Sequence, residues 1–428
     1  MKFLTPKMKV QIGTVSIRLA LFFYRCGNRG GLGNMLFGFY KLMMRWLNLS
    51  VLPVVNADVY NEKMGNVLIT PIATNRLGVS ANIIMAGNNE KTRLIEKTIP
   101  DLRLKLFKNV CIRGNSDVVV DSKNGFVISE EAYNLEDNLE IIDGLLYRTA
   151  DNLCILRDNL RHPMEHIQAG IMISGKFCNN YYHLMYENFN KLVYLKSLDI
   201  PSDVPVIIDR KTLVIPSCKT IFDILTKGNT RPVVEIDSNK LYRFELLYCL
   251  DHVNKLPSHS KDPHKPSIAL YSPQALNLLR ETLLPSKSTN LYPKRIFISR
   301  AGTARRHFNE DEVFGVLQKF GFERLAPERY SLEEQMDIFN SAEYIVAGSG
   351  AALTNLLYVN SNCTVLCFGR SSYNEVCEVP IFNTIANING ARFMFFPRKT
   401  KVLDNTHVDF EIDSEKFETV IKAIIDKK

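Results

Sequence analysis

Two short stretches of this chain hold side chains suited to chemistry. The first reads Asn180-Tyr-Tyr-His183-Leu-Met-Tyr-Glu187-Asn188. His183 and Glu187 are four apart, so on a helix they share a face. A carboxylate or imidazole within hydrogen-bond reach can take the proton of a hydroxyl nucleophile. The same spacing also suits an ordinary surface ion pair. It suits half of a metal site as well, but no third ligand is evident. The second stretch combines Ser299, Arg300, Arg305 and Arg306 with the turn Gly348-Ser349-Gly350 and its successor Ala351. Arginine forks match phosphate oxygens. Glycines let backbone approach an anion, and a helix start offers unpaired N–H groups. Either part alone reads first as a solvated pair or a tight connection; together on one sheet edge they suggest an anion site, with a diphosphate as the expected ligand. The turn is neither the dinucleotide fingerprint nor the P-loop, which needs Lys-Ser/Thr where Ala351-Ala352 stand.

The elements around these residues must position them. From residue 295 to 369, short apolar runs alternate with amphipathic ones, the pattern of a parallel sheet with crossover helices. Strands are expected at Arg295–Ser299, Phe322–Leu325, Tyr344–Ala347 and Thr364–Phe368, with helices opening at Asn309, Ser331 and Ala351. Asn309 with Glu312, and Ser331 with Glu334, read as capping boxes. Ser299, Arg300 and the glycine turn then fall at carboxyl ends of strands, where open α/β sheets bind ligands. Glu334 and Gln335 start a helix at the same edge, so they either cap it or touch the ligand. Alternation also runs from Gln168 to about Phe244, with a strand at 169–174, a helix at 181–198, strands at 203–208 and 232–236, and a helix at 217–227. That places His183 and Glu187 just beyond a strand's carboxyl end.

In order, Ile298-Ser-Arg, Arg305-Arg306-x-x-Asn309-Glu310, Ser331-x-x-Glu334-Gln335 and Gly348-x-Gly350-Ala351-x-Leu353-x-Asn355 resemble glycosyltransferase family 61. The resemblance covers this stretch and a shorter one at 175–192. Its members include bacterial capsule and exopolysaccharide transferases, plant xylan arabinosyl- and xylosyltransferases, and animal O-linked N-acetylglucosaminyltransferases. It implies an inverting hexosyl- or pentosyltransferase of GT-B architecture, two Rossmann-like domains facing a cleft, working in cell-surface polysaccharide synthesis. It implies a nucleotide-sugar donor, a UDP-sugar, and a glycan or lipid-linked glycan acceptor, with no cofactor and no metal. By the same resemblance Glu187 is the base and His183 positions acceptor or base. The donor contacts would be Ser299, Arg300, Arg305, Arg306, Glu334, Gln335, Gly348, Ser349, Gly350, Ala351, Leu353 and Asn355, with Tyr373–Val379 nearby. Ser349 stands where the family usually has His; its hydroxyl still donates a hydrogen bond. A non-catalytic nucleotide-sugar or glycan-binding protein, and a membrane-associated scaffold, are the alternatives.

The rest of the chain sets the frame. At 428 residues it exceeds what one core usually fills. The division expected is an N-terminal segment 1–54, an irregular, β-rich acceptor-side domain 55–250, an exposed linker 251–270 and a donor domain 271–428. The closing amphipathic helix, by analogy with GT-B proteins, crosses back to the first domain. Residues 34–52 are apolar but interrupted by Lys41 and Arg45, and hold the only Trp, Trp46. They fit a membrane-interfacial helix or a buried first helix equally. The net charge of +8 suits anionic substrates or an acidic membrane surface, and no basic block with interleaved aromatics points to nucleic acid. Nine scattered cysteines without CxxC pairs point to a reducing compartment, hence a cytoplasmic location, peripheral at the inner face of the membrane.

Overall fold

The computed structural model describes residues 17–22, 24, 31–46, 49–88, 91–136, 139–141, 143–157, 160, 164–256, 259–260, 268–284, 291–302, 306–369, 381–399 and 408–426. The chain is α/β, built on two main sheets of eleven and five strands.

Five strands of the larger sheet matter to the site: β1 (Leu102–Arg113), β2 (Glu165–Met172), β3 (Val206–Asp209), β4 (Val233–Ile236) and β5 (Leu241–Leu250). They lie in the order β4-β3-β2-β5-β1. The first four are mutually parallel, and β1 pairs antiparallel with β5. A mixed sheet therefore replaces the purely parallel one that alternation alone suggests. Beyond β1 it continues into the β-rich part of the chain, through Val119–Asp121 to Leu146–Ala150. The sheet coils strongly, as twisted sheets do. Arg113, at the end of β1, donates through Nε to the Ser238 carbonyl just past β4 (3.0 Å). A Cβ on Gly114 would run into the Asp209 carboxylate at the end of β3.

The smaller sheet follows the expected alternation closely. Its strands are β6 (Arg295–Ile298), β7 (Glu323–Leu325), β8 (Tyr344–Gly348), β9 (Thr364–Gly369) and β10 (Arg392–Pro397), in the order β7-β6-β8-β9-β10, all parallel. Buried strands of this kind read as short apolar runs, which is why their positions were legible. The direction of winding reverses between β6 and β8, and that switch point is where such sheets bind ligands. In the larger sheet the reversal falls between β2 and β5.

The helices that place site residues are the composite segment α1 (Tyr181–His183, α; Leu184–Asn188, π; Phe189–Ser197, 3₁₀), α2 (Pro216–Thr226), α3 (Pro273–Leu283), α4 (Glu310–Gln318), α5 (Leu332–Ser341) and α6 (Ser414–Ile425). The regular helix expected at 181–198 is thus interrupted, and a π segment inside a helix frequently marks a functional site. Residues 351–358 form a 3₁₀ helix rather than an α-helix. The Ser331–Glu334 capping box is present. The one expected at Asn309 is not: its side chain bonds Glu312 (2.7 Å) and both backbone groups of Ile412 (2.9 Å each), pinning the C-terminal segment instead.

One buried apolar cluster runs from Ile171 and Ile208 of the larger sheet, through Tyr186 and Leu276, to Ile296 and Ile345 of the smaller. The helix expected to cross back does not do so. Phe417 and Ile421 of α6 pack with Val313 and Leu317 of α4, over the smaller sheet's outer face. The chain crosses earlier instead: the 84–86 backbone pairs with Phe395 of β10, and Asn383 donates to the Ala81 and Asn82 carbonyls. The 251–270 segment also departs from an exposed linker at its described ends. Lys255 pairs with Leu270, and Asn254 is buried.

Candidate active site

The segment α1 opens at the carboxyl edge of β2. Its N-cap is Asn180, whose side chain accepts from the Tyr182 N–H. The π segment brings His183 Nδ1 to 2.5 Å from Glu187 Oε1. Glu187 is 4% exposed, whereas the His183 side chain keeps 24%. The His183 ring lies 4.3 Å, centroid to centroid, from Phe177. Phe177 adopts φ +58°, a left-handed conformation costly for an aromatic residue. Strain of this kind persists only where the surroundings impose it, and here it holds a ring against the imidazole. Asn254 donates to the Tyr186 carbonyl at 2.9 Å, satisfying backbone within the π segment.

Beside this pair lies a charged cluster not apparent in the sequence. Lys176, two residues beyond the Ser174 that follows β2, contacts Glu131 at 2.5 Å. His252, just past β5, lies 3.5 Å from Asp117. A Cβ on Gly175 would collide with Asp117 and come within 3.2 Å of Asn188. Burial works against the charge of Lys176, but Glu131, Asp117 and Glu187 together push it above the usual lysine range. Burial likewise disfavours the Asp117 charge, yet His252, Lys176 and Lys191 hold it well below the usual carboxylate range. Glu187 Oε2 and both polar atoms of Asn188 are buried without a hydrogen-bond partner among the described residues. Buried polar atoms normally have one.

A depressed carboxylate stabilises the fold above its unfolded pKa, about 4, and that contribution is lost as pH falls through the folded value. Asp117→Asn should therefore cost about 3 kcal/mol at neutral pH, as when one partner of a buried pair is removed. It should also flatten the decline in stability below about pH 4. Urea unfolding of both proteins across that range measures this.

The second cluster sits at the switch point of the smaller sheet. Ser299 and Arg300 follow β6, and the glycine turn follows β8. Glu310, the first residue of α4, brackets the former: Ser299 Oγ donates to it at 2.5 Å and the Arg300 N–H at 2.8 Å. The Arg300 side chain then lies over the turn, its Nη1 donating to the Ser349 carbonyl at 3.4 Å. Arg306 Nη1 reaches the same carbonyl at 2.7 Å, from a backbone at φ +63°. Two guanidinium groups thus converge on the turn. The glycines are required by this approach, since a Cβ on Gly348 would lie 3.0 Å from Arg300 Cδ, and one on Gly350 would overlap its Nη1. Gly350→Ala should therefore displace the guanidinium with little loss of stability. Affinity for the diphosphate expected at this turn should fall by about one to two orders of magnitude, since a charge-assisted bond contributes about 1.5–3 kcal/mol. Isothermal titration with inorganic pyrophosphate measures this.

The other expected donor residues divide. Ala351 is exposed beside the turn. Leu353 is fully buried in the core. Glu334 caps α5: it accepts from the Ser331 N–H at 2.7 Å, and that bond holds its carboxyl below the usual range. Gln335 and Asn355 are buried and join to each other at 2.8 Å. Gln335 also donates to the Tyr330 carbonyl (3.0 Å), and Tyr181 OH donates to Asn355 Oδ1 (2.8 Å). Both side chains are thus engaged within the protein. Arg305 and the stretch 373–379 lie outside the described residues. Among the described residues no group of three or more His, Cys, Asp or Glu is arranged to hold a metal ion.

The two clusters are tied to each other. Tyr181 reaches Asn355, and Tyr186 OH donates to the Thr354 carbonyl at 2.8 Å. Both acceptors lie in the 3₁₀ helix that leaves the glycine turn, and both donors flank His183. Sequence reasoning missed these tyrosines, although aromatic residues on both sides of a candidate base were a visible signal.

The family model described as Glycosyltransferase 61 matches residues 168–366, a span that holds the His183–Glu187 pair and the arginines with the glycine turn, but not Asp117 or Glu131. No curated protein matches the chain.

Proposed function

Residues 168–366 make this chain a glycosyltransferase of family 61, and from that premise we propose an inverting transferase that moves a sugar from a UDP-sugar to a glycan or lipid-linked glycan in cell-surface polysaccharide synthesis. In this reading the two sheets are the halves of a GT-B architecture. The observation that carries it is the double tie, Tyr181 to Asn355 and Tyr186 to Thr354, which sets the His183–Glu187 pair against the helix of the cationic turn.

The donor diphosphate lies at the turn, met by Arg300, Arg306 and the N–H groups that follow Gly350. His183 faces the acceptor. With Nδ1–H committed to the Glu187 carboxylate, its Nε2 is left as a proton acceptor; this tautomer is assigned from the partner. That reverses the roles expected from the sequence, because Glu187 is buried and its Oε1 is engaged by the ring. Glu187 orients the imidazole and stabilises the imidazolium that forms, the division of labour of a triad.

In the reaction the acceptor oxygen bonds to the anomeric carbon while its proton passes to His183. The bond from that carbon to the diphosphate oxygen breaks, and UDP leaves with the electron pair. Arg300 and Arg306 meet the charge that develops there, the usual largest electrostatic contribution. Fixed cations in this place serve where other transferases use a divalent metal, so chelation should leave the rate unchanged. The test is purified protein with a panel of UDP-, GDP- and CMP-sugars, scoring released nucleotide and the anomeric configuration of the product by NMR. Retention of configuration, or binding without turnover of any donor, would overturn the proposal.

A further inference from the structure

The helix Gly31–Trp46 exposes a wide apolar face. Met35 (65% exposed), Leu36, Phe39 (70%), Leu42, Met43 and Trp46 (87%) all point outward. At 100° per residue these positions share one side of the helix. A different side is buried: Tyr40 and Met44 pack with Val51, Leu153 and Ile155 of the larger sheet. The helix is thus fixed to the body of the protein while its apolar face points away from it. Lys41 and Arg45 line the third side, and no acidic residue occurs in the helix. Leu19 and Phe22, also exposed, and exposed Arg18 lie in the helical stretch just before it.

We propose that this face seats the protein on an anionic membrane surface, with the helix lying flat among the headgroups. Three features select that occupant. Contiguous exposed side chains of this size are uncommon on a soluble surface unless something covers them. The cations beside the face match an anionic surface, whereas a second copy of the same face would bring its own cations and no acidic complement from this helix. A helix of 16 residues rises only about 24 Å, and no described helix is long and apolar enough to cross a bilayer. Apolar side chains sink into the acyl boundary in such helices while basic ones stay at the headgroups. The proposal does not depend on the transferase reading.

Trp46 is the chain's only tryptophan, so tryptophan emission, excited at the red edge where tyrosine does not absorb, reports on this face alone. The full chain is titrated with phosphatidylcholine vesicles, and separately with vesicles containing about equal parts of phosphatidylglycerol. Anionic vesicles should shift the emission to the blue and sediment the protein. They should bind it about tenfold or more better than neutral ones, as expected for two cations near the surface. Phe39→Glu, at an exposed position that leaves the core intact, should abolish both effects with an unchanged circular dichroism spectrum. Three results would each overturn the proposal: no shift with either vesicle, equal binding of Phe39→Glu, or a shift that follows protein concentration without vesicles, which marks self-association.

Discussion

His183→Ala should lower kcat by about 10²- to 10⁴-fold, the usual contribution of a positioned general base, while UDP binds as tightly as before. The expectation rests on geometry: the imidazole is the exposed member of the pair and Glu187 the buried one. Glu187→Gln should also lose turnover but respond differently. An amide can still bond Nδ1, yet it can offer N–H to that nitrogen and leave the ring in the wrong tautomer. It also carries no charge to stabilise an imidazolium. Raising the pH should therefore restore little of the Glu187→Gln rate. Exogenous imidazole should partly rescue His183→Ala, because the missing ring is the exposed member of the pair. If imidazole rescues neither variant and His183→Ala retains its rate, Glu187 is the base and the dyad assignment fails. Titration of both variants with UDP guards against a trivial explanation, since a collapsed site would lose nucleotide binding as well.

The two halves of this site were unequally legible in the sequence, for a physical reason. The smaller sheet is parallel and buried, so its strands are short apolar runs, and its helices carry their own stop and start signals. Ser331–Glu334 and the turn at 348–350 could be placed from such local cues alone. The larger sheet is mixed and strongly coiled. Its charged cluster gathers Asp117, Lys176 and His252 from the ends of separate elements, and no local pattern announces a contact between residues so far apart. Helix type was illegible as well: apolar periodicity predicts a helix at 181–198 but does not distinguish a π segment from an α turn. The same limit explains Gln335 and Asn355. A polar residue in a matching motif reads as a ligand contact until its partners are seen, and theirs are each other, Tyr330 and Tyr181.

Arg300→Ala and Arg306→Ala should each slow transfer by about 10²- to 10³-fold, the range seen when one preorganised donor to a developing charge is removed. Both side chains reach the Ser349 carbonyl, at 3.4 and 2.7 Å. They arrive by different routes, Arg300 from a segment bracketed by Glu310 and Arg306 from a left-handed backbone position. Because they share one target they should not act independently, and the double variant should lose less than the product of the two single losses. Lysine should substitute poorly for either, since a compact ammonium cannot make the planar, bidentate contact that a diphosphate oxygen pair invites. The balance between kcat and KM identifies which state is served. If the arginines grip the diphosphate equally before and during bond cleavage, KM for the donor rises and kcat holds. If they act on charge that appears only as the bond breaks, kcat falls and KM stays. Unchanged kcat/KM in both variants would place the diphosphate elsewhere and remove the switch point of the smaller sheet as the donor site.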